Sequence, residues 1–399
     1  MPFYAVLRVV LMDESTPRDE SPPGNRHAQH TDRQAARRND ALRRIAANPL
    51  DLSPHFPRIA ERWEAWWHRE NRRPLLLGGV RRDASLRWDK AFDLLENTEA
   101  WLSVRRSQCE HTYWMDATPP SIRVDIGPVT IGAYLGAPLI VDEQTQTSWQ
   151  SPIIEDWQDV EELTLTPHTE WYERVRELLR ATARDAAGRY LVCLPDLAGA
   201  IDVLTRLRGT EQLMLDLFEY PEQVKACAER LVSVWESVFF EFYDLVLDQG
   251  SAPVQWLHAW SSTPYTLPTC DFNALIGPKQ FDEFCLPSLR RQASIAGRCL
   301  FHLDGPDAAR HAPSLARTEE ITAVQFTPGT GTPSALAQME MFRMLQNAGK
   351  PVVVVCPYEE ATQVARELDH AGLAIIPESI PSVKAAEELE REVAGHARE

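Results

Sequence analysis

Short apolar segments alternate with longer amphipathic stretches from Arg73 onward. Each apolar segment has the length of a buried strand, and each stretch between them repeats apolar positions every three or four residues, the period of a helix that faces a core. Several of these stretches end at a glycine, which favours a helix C-terminus. Eight segments follow this rhythm: PLLLGGV (74–80), SIRVDI (121–126), RYLVCL (189–194), APVQWL (252–257), RCLFHL (298–303), TAVQF (322–326), PVVVVC (351–356) and LAII (373–376).

Eight strands separated by helices predict an α/β fold with parallel strands, arranged as a (β/α)8 TIM barrel over residues 73–399. A doubly wound sheet would usually carry a glycine-rich nucleotide loop after its first strand. Neither that loop nor a GxxxxGK[ST] phosphate loop occurs in the sequence. The pattern therefore favours the barrel.

The N-terminal part of the chain has a different pattern. Residues 13–32 contain almost no apolar side chains and are rich in proline, serine and charge, so they cannot bury enough surface to become ordered. We predict a disordered leader at 1–32 and a pair of N-terminal helices at 33–72.

Charge and cysteine content exclude several classes of function. The net charge of −17 repels nucleic acids and anionic membranes, and the apolar run Ala5 to Met12 is too short to span a bilayer. The seven cysteines form no CxxC pair, which is typical of reduced thiols. We predict a cytoplasmic protein without a nucleic-acid or membrane partner. The sequence leaves both a monomer and a homodimer open.

Polar residues recur where the predicted strands end, and the active site of a barrel lies at the carboxyl ends of its strands. Each of them alone is equally explained as a strand-end hydrogen-bonding group or a helix cap. Their recurrence at one face of the barrel instead indicates a functional site. The residues are Asp196, His258, Trp260, His302, Asp304, Gln325, Cys356 and Glu378.

Several segments resemble the uroporphyrinogen decarboxylase superfamily, which also contains cobalamin-dependent methyltransferases. The most specific are TCDFNALIGPKQFDEF and FHLDG; WMDATPPSIRVDIGPVTIGAYLG and VQFTPGTG are also similar. The similarity extends roughly from Trp114 to Ala394 and implies a (β/α)8 barrel.

The decarboxylase branch of this family implies an arginine-rich loop of the RQAGR type and a C-terminal GHG motif. The corresponding stretches here are LLLGGVRRDASL and AIIPESIPS, which contain neither motif. Asp116 is similar to the aspartate that faces the pyrrole nitrogens and is a candidate catalytic residue, with Arg81 and Arg82 as candidate carboxylate anchors. The sequence shows no concentrated basic mouth for a substrate with many carboxylates. We therefore rank decarboxylation second.

The methyltransferase branch implies zinc bound by a histidine and two cysteines. His302 matches the histidine, whereas Asp304 and Glu378 stand at the cysteine positions. A set of one histidine and two carboxylates is harder than a thiolate set and suits zinc, iron(II) or manganese. Residues 302 and 304 point to the same side of a strand. We predict a divalent metal at His302, Asp304 and Glu378, with a metal-free acid–base or binding pair at His302 and Asp304 as the alternative.

The remaining candidates are catalytic and substrate-binding residues. His258 is a candidate for proton transfer, against a role as a packed strand-end histidine. Asp196, Trp260, Tyr265, Asp271 and Gln325 are candidates for substrate binding, with core packing as the alternative for the aromatic residues. Their partner is a small-molecule substrate.

The favoured function is metal-assisted methyl or alkyl transfer to a thiol or from a corrinoid protein. The sequence contains no DxHxxG-type cobalamin motif, so a corrinoid would be carried by a partner protein. A metal-free decarboxylase-type lyase acting on a tetrapyrrole or another carboxylate is the alternative. A barrel that only binds a small molecule is the third hypothesis.

Overall fold

The computed structural model describes residues 23–158, 160, 166–329 and 334–395. The chain divides into two compact units, residues 1–37 and residues 38–399. Residues 1–22 of the predicted leader lie outside the described residues, and the first helix begins at Pro23. The second unit contains all the candidate site residues.

Helices make up most of the described chain. None of those described is both long and apolar enough to cross a membrane. The α-helices are Pro23–Ala46, Phe56–Trp67, Thr98–Glu110, Ile131–Tyr134, Glu170–Ala186, Ala200–Arg208, Thr210–Glu219, Pro221–Asp248, Pro278–Gln280, Leu286–Ala296, Gly305–Ala308, Ala312–Arg317, Met339–Asn347, Ala361–Glu367 and Val383–Gly395. Shorter 3₁₀ turns include Asp271–Leu275, and Phe281–Cys285 is a π-helical turn.

Parallel strands form two sheets. The six-stranded sheet has the spatial order Leu75–Leu76, Leu373–Glu378, Val352–Pro357, Ala323–Thr327, Arg298–Asp304 and Tyr265–Thr266. The three-stranded sheet has the order Ser121–Arg123, Leu191–Cys193 and Pro253–Val254. Two antiparallel pairs are added: Gly79–Arg81 with Thr112–Trp114, and Leu139–Asp142 with Thr147–Gln150.

Each of the eight predicted apolar segments overlaps one of these parallel strands, so the predicted α/β fold with a parallel sheet is confirmed. Tyr265–Thr266 is an additional short strand beside Arg298–Asp304. Among the described residues the parallel ladders form two separate sheets rather than one continuous ring. Closure of the strands into a barrel therefore stays a prediction.

The strands are buried because helices cover them, as the continuous apolar runs require. Val352 to Val354 and Leu373 to Ile375 are fully buried. The register between the strands Arg298–Asp304 and Ala323–Thr327 sets His302 opposite Gln325 and Asp304 opposite Thr327. The polar carboxyl ends of neighbouring parallel strands consequently lie side by side.

Candidate functional site

Three potential metal ligands converge at the carboxyl ends of the strands. One ligand atom from each of Asp271, His302 and Asp304 lies within 4.8 Å of the others. Atoms bound to one zinc ion lie roughly 3.4 Å apart when each bond is about 2.1 Å long. A set of one imidazole and two carboxylates suits a divalent cation.

The ring of His302 is oriented by Gln325 on the neighbouring strand. Gln325 is completely buried, and its Nε2 donates to Thr327 Oγ1 at 2.7 Å. Its Oε1 therefore faces His302 Nδ1 and accepts a hydrogen bond from it. This contact selects the tautomer with the proton on Nδ1 and leaves the Nε2 lone pair available as a ligand or a base.

Asp271 is positioned by the buried carboxylate of Asp202. Asp202 accepts hydrogen bonds from Thr269 Oγ1 at 2.5 Å, from the amide of Asp271 at 3.0 Å and from the amide of Phe272 at 3.2 Å. These three bonds hold the first turn of the segment Asp271–Leu275 in place. The sequence segment CDF that follows the strand Tyr265–Thr266 thus brings a carboxylate to His302.

The electrostatics of this group favour a cation. Burial by surrounding protein atoms and the nearby carboxylates of Asp202 and Asp304 raise the pKa of Asp271 to about 8. Carboxylates that crowd one another resist ionisation unless a positive charge compensates them. A divalent ion bound between Asp271 and Asp304 would supply that charge.

Glu378 is not in the group of three that the described residues form. It ends the strand Leu373–Glu378, which lies three strands away from Arg298–Asp304 in the sheet. At about 4.8 Å per strand this separation is about 14 Å along the sheet. Asp271 contributes the second carboxylate of the group, at the place where the sequence predicted Glu378.

Asp116 lies in an ion-pair network. Its two carboxylate oxygens accept hydrogen bonds from Arg62 at 2.5 and 2.7 Å, and Arg73 and the amide of Leu76 add contacts at 3.3 and 3.1 Å. Protein donors thus satisfy both oxygens. The network accounts for the position of Asp116 without a substrate, and its catalytic role stays a prediction.

Asp196 is buried behind the strand ends. Its carboxylate accepts hydrogen bonds from the amides of Ala198 at 3.0 Å and Val129 at 3.3 Å. Burial raises the pKa of this carboxyl. Asp196 therefore organises the loop after Leu191–Cys193, and its predicted substrate contact is not among these bonds.

The two aromatic residues predicted to contact substrate are enclosed in the core. Trp260 is 0 % exposed and packs edge-on against Phe56. Tyr265 is 1 % exposed, and its hydroxyl donates to the carbonyl of Ala259 at 2.8 Å. Neither side chain offers surface to a ligand, because both fill space between helix Phe56–Trp67 and the strands. We leave both out of the site.

His258 lines a cavity beside the group of three. Its backbone has φ = +57°, which is uncommon for a residue other than glycine. Its Nδ1 lies 2.5 Å from Ser121 Oγ. Burial, Arg123 and Arg105 lower the pKa of His258 to about 4, so the ring is neutral near pH 7.

This cavity is strongly basic. Its volume is about 370 Å³, and four cationic side chains line it against a single carboxylate, that of Asp125: Arg81, Lys90, Arg105 and Arg123. The expectation that the chain has no concentrated basic mouth is therefore wrong. The four cations lie up to 42 positions apart in the sequence, on different elements, so only folding gathers them.

Trp256 connects the two parts of the site. It lines the basic cavity, and its ring meets that of His302 edge-on at 4.9 Å between centroids. The sequence prediction did not include Lys90, Arg105, Arg123 or Asp125 among the site residues. Asp125 interrupts the apolar segment 121–126 two positions after the strand Ser121–Arg123, and this interruption was the one available signal.

No family model matches the chain, and no curated protein matches it. Among solved structures, the chain is similar to a methyltransferase from Methanosarcina mazei, with a TM-score of 0.55 and 10% sequence identity. The match covers 84% of this chain and 98% of that chain. At this identity the similarity concerns the fold alone.

Proposed function

We propose that this chain is a metal-assisted methyl or alkyl transferase built on a (β/α)8 barrel. The observation that carries the proposal is the convergence of Asp271, His302 and Asp304 within 4.8 Å. The fold similarity to a methyltransferase and the sequence resemblance to the uroporphyrinogen decarboxylase superfamily support the same reaction class. The proposed ligands replace the predicted set of His302, Asp304 and Glu378.

Each residue has a defined task in this proposal. His302 supplies an imidazole nitrogen, held in place through Gln325, while Asp271 and Asp304 supply carboxylate oxygens. When bound, a divalent metal acts as a Lewis acid that lowers the pKa of a coordinated thiol or water. One nitrogen and two oxygens are compatible with zinc, iron(II) or manganese.

The transferred group comes, in this proposal, from a corrinoid carried by a separate protein, and the acceptor is a small thiol. Asp271 and Asp304 are exposed, so the group of three potential ligands is accessible from solvent. The chain would align the acceptor with the methyl donor. As the deprotonated sulfur forms its bond to the methyl carbon, the carbon–cobalt bond would break and the cobalt would keep the electron pair.

Metal content tests the proposal first. Protein purified without chelator and then loaded with zinc, iron(II) or manganese should retain close to one metal per chain, and His302→Ala should retain little. Asp307→Ala is the matched control, since this carboxylate lies three residues beyond Asp304 and is 78 % exposed. Equal metal content in the parent and His302→Ala would contradict the proposed ligands.

Activity is tested next with methylcobalamin as donor and a small thiol as acceptor. The absorbance change on demethylation of the corrinoid should require the metal and should be lost in His302→Ala. Asp307→Ala should keep the parent rate. A rate independent of both metal and His302 would refute metal-assisted transfer.

A metal-free decarboxylase is the second candidate, and the basic cavity favours it. Four cations around one carboxylate would hold a carboxylate substrate and stabilise charge that develops on it. The catalytic aspartate of this alternative, Asp116, is already bound by Arg62 and Arg73. Release of carbon dioxide from a carboxylate substrate in the presence of chelator would favour this candidate over the transferase.

A further inference from the structure

The cations of the basic cavity are not balanced by the protein. Arg123 Nε and Lys90 Nζ each lie 3.4 Å from the same oxygen, Asp125 Oδ2. The other oxygen of Asp125 accepts a hydrogen bond from the amide of Gly127 at 2.8 Å. One carboxylate therefore serves two cations, and Arg81 and Arg105 add two further positive charges to the same cavity.

Among the described residues, Arg105 forms hydrogen bonds with polar groups but no ion pair with a carboxylate. Its Nη1 donates to Gln108 Oε1 at 2.7 Å. Its Nε is buried without a hydrogen bond to the described part of the chain. Burial lowers the pKa of Arg105; the charge of Asp125 offsets part of this effect, and the neighbouring Arg123 lowers the pKa further. Buried cations are normally paired, so four cations around one carboxylate leave positive charge for an anionic ligand to balance.

The other walls of the cavity are flat and aromatic. Trp88, Trp114 and Trp256 line it. Arg81 lies over the ring of Trp88, and Arg123 lies over that of Trp256, at 5.3 and 6.0 Å from the ring centroids. Aromatic faces of this kind accept the body of a planar ligand while the guanidinium groups bind its anionic substituents.

His258 contributes a neutral donor to the same cavity. The hydroxyl of Ser121 lies 2.5 Å from His258 Nδ1 and 3.4 Å from the carbonyl oxygen of Pro119. The hydroxyl therefore donates its hydrogen to Nδ1, the nearer of the two acceptors. Nδ1 is then the acceptor, and the proton of the ring is on Nε2. An N–H donor adds to the cationic donors, which again suits an anion with several oxygens.

The size of the cavity limits the ligand. Its volume of about 370 Å³ equals roughly a dozen water molecules at about 30 Å³ each. This space fits a single ring with its substituents. A macrocycle of four pyrrole rings with side chains needs considerably more room.

We infer that the cavity binds a small, planar organic anion with two or more negative charges, such as a benzene polycarboxylate. The excess of positive charge selects the polyanion, and the three indole walls select a flat body. Through Trp256 the bound anion lies next to His302, and an anion of this class that also bears a thiol would serve as the acceptor substrate. That role as substrate rests on the proposed function; the binding itself does not.

Isothermal titration of the full chain with benzene-1,3,5-tricarboxylate, in buffer containing chelator, tests the inference. We expect saturable binding that weakens at high salt, and at least tenfold weaker binding in Arg123→Gln and in Arg105→Gln. Arg343→Gln is the matched control, because Arg343 pairs with Glu367 on the surface, and it should bind like the parent. The neutral benzene-1,3,5-tricarboxamide should not bind, and inorganic phosphate should bind more weakly.

Several results would overturn the inference. One is the absence of tricarboxylate binding to the folded parent. Another is an affinity of Arg123→Gln for the tricarboxylate equal to that of the parent. A third is an affinity of the parent for the tricarboxamide equal to its affinity for the tricarboxylate. Phosphate binding as tight as that of the tricarboxylate would remove the requirement for a planar body. The tricarboxylate should raise the melting temperature of the parent but not of Arg105→Met, which distinguishes loss of the site from loss of folding.

Failure of this inference is distinguishable from failure of the proposed function. His302→Ala should lose the metal and keep the tricarboxylate affinity, whereas Arg123→Gln should keep the metal and lose the affinity. Tricarboxylate binding by a parent protein that retains no metal would support the cavity and refute the transferase. Metal retention without tricarboxylate binding would support the transferase and refute the inference about the cavity.

Discussion

Gln325 and His302 lie opposite each other on adjacent parallel strands, and the amide oxygen of Gln325 accepts a hydrogen bond from His302 Nδ1. Thr327 fixes the orientation of that amide by accepting from its Nε2. The imidazole Nε2 is thereby left as a lone-pair donor at the carboxyl ends of the strands. This chain of contacts makes Gln325 a positioning residue rather than a substrate contact.

Replacing Gln325 should therefore change metal affinity. Gln325→Leu removes the acceptor of His302 Nδ1 and should weaken metal binding roughly 10- to 100-fold, the usual effect of losing such an outer contact. Gln325→Glu keeps an acceptor and should retain or increase the affinity. Competition with a chromogenic chelator measures both. Equal losses in the two variants would show that Gln325 acts only by filling space.

Gly199 should tolerate no side chain, because it packs against the loop that leads to Asp271. A Cβ atom there would lie 2.3 Å from the carbonyl oxygen of Thr269, while the amide of Gly199 already donates to that oxygen at 3.1 Å. Gly199→Ala should lower the free energy of unfolding by about 1–3 kcal/mol through overpacking, as urea denaturation would measure.

The matched control for this change is Gly395→Ala. A Cβ atom at Gly395 would have nothing within 4 Å, and this exposed residue ends the helix Val383–Gly395. Alanine favours a helix over glycine, so the control should be neutral or slightly stabilising. A Gly199→Ala variant as stable as this control would mean that the Thr269 segment moves freely.

His258 should make folding sensitive to pH. Its pKa is about 4 in the folded chain, against about 6.5 in an unfolded one. Between these values the unfolded state takes up a proton that the folded state does not. This contribution to stability is therefore complete above about pH 6.5 and is lost as the pH falls towards 4, by up to about 3 kcal/mol.

Urea denaturation at intervals from pH 7 to pH 4 checks this expectation against His258→Asn. Asparagine tolerates the positive φ of this position better than most residues, so the backbone should be retained. The variant should lose less stability on acidification than the parent. Parallel curves for the two proteins would show that His258 does not carry the effect.

A buried ion pair outside the site should be essential for stability. Arg208 Nε lies 2.7 Å from Asp216 Oδ2, and the side chains are 6 and 0 % exposed. Asp216→Ala would leave the guanidinium unpaired in the interior and should cost about 3–5 kcal/mol of unfolding free energy. Glu388→Ala, which removes the exposed partner of Lys384, should cost no more than about 1 kcal/mol in the same urea titration.

The strand positions were predictable because burial on both faces of a parallel strand requires a continuous apolar run. Val352 to Val355 and Leu300 to Leu303 show this directly, since a polar residue in the middle of such a run would have to be satisfied inside the core. His302 is the exception within its run, and Gln325 provides the partner that its ring requires. A break in the apolar pattern thus located a functional residue.

Burial was less predictable for the aromatic residues near the strand ends. Trp256, Trp260 and Tyr265 lie within ten residues of one another and have similar chemistry, yet only Trp256 lines the cavity. Trp260 and Tyr265 turn into the core between the strands and helix Phe56–Trp67. Sequence spacing does not specify which way a loop residue faces, because no regular period applies to a loop.

The order of strands and helices can be read from the sequence, and so can the presence of His302 and Asp304 at the end of one strand. These are local properties, governed by hydrophobic periodicity and by side-chain alternation along a strand. Tertiary structure alone decided that Asp271, rather than Glu378, joins them, and that Lys90, Arg105 and Arg123 share one cavity. Those associations depend on which elements pack together in space, and contact between residues distant in sequence leaves no local pattern along the chain.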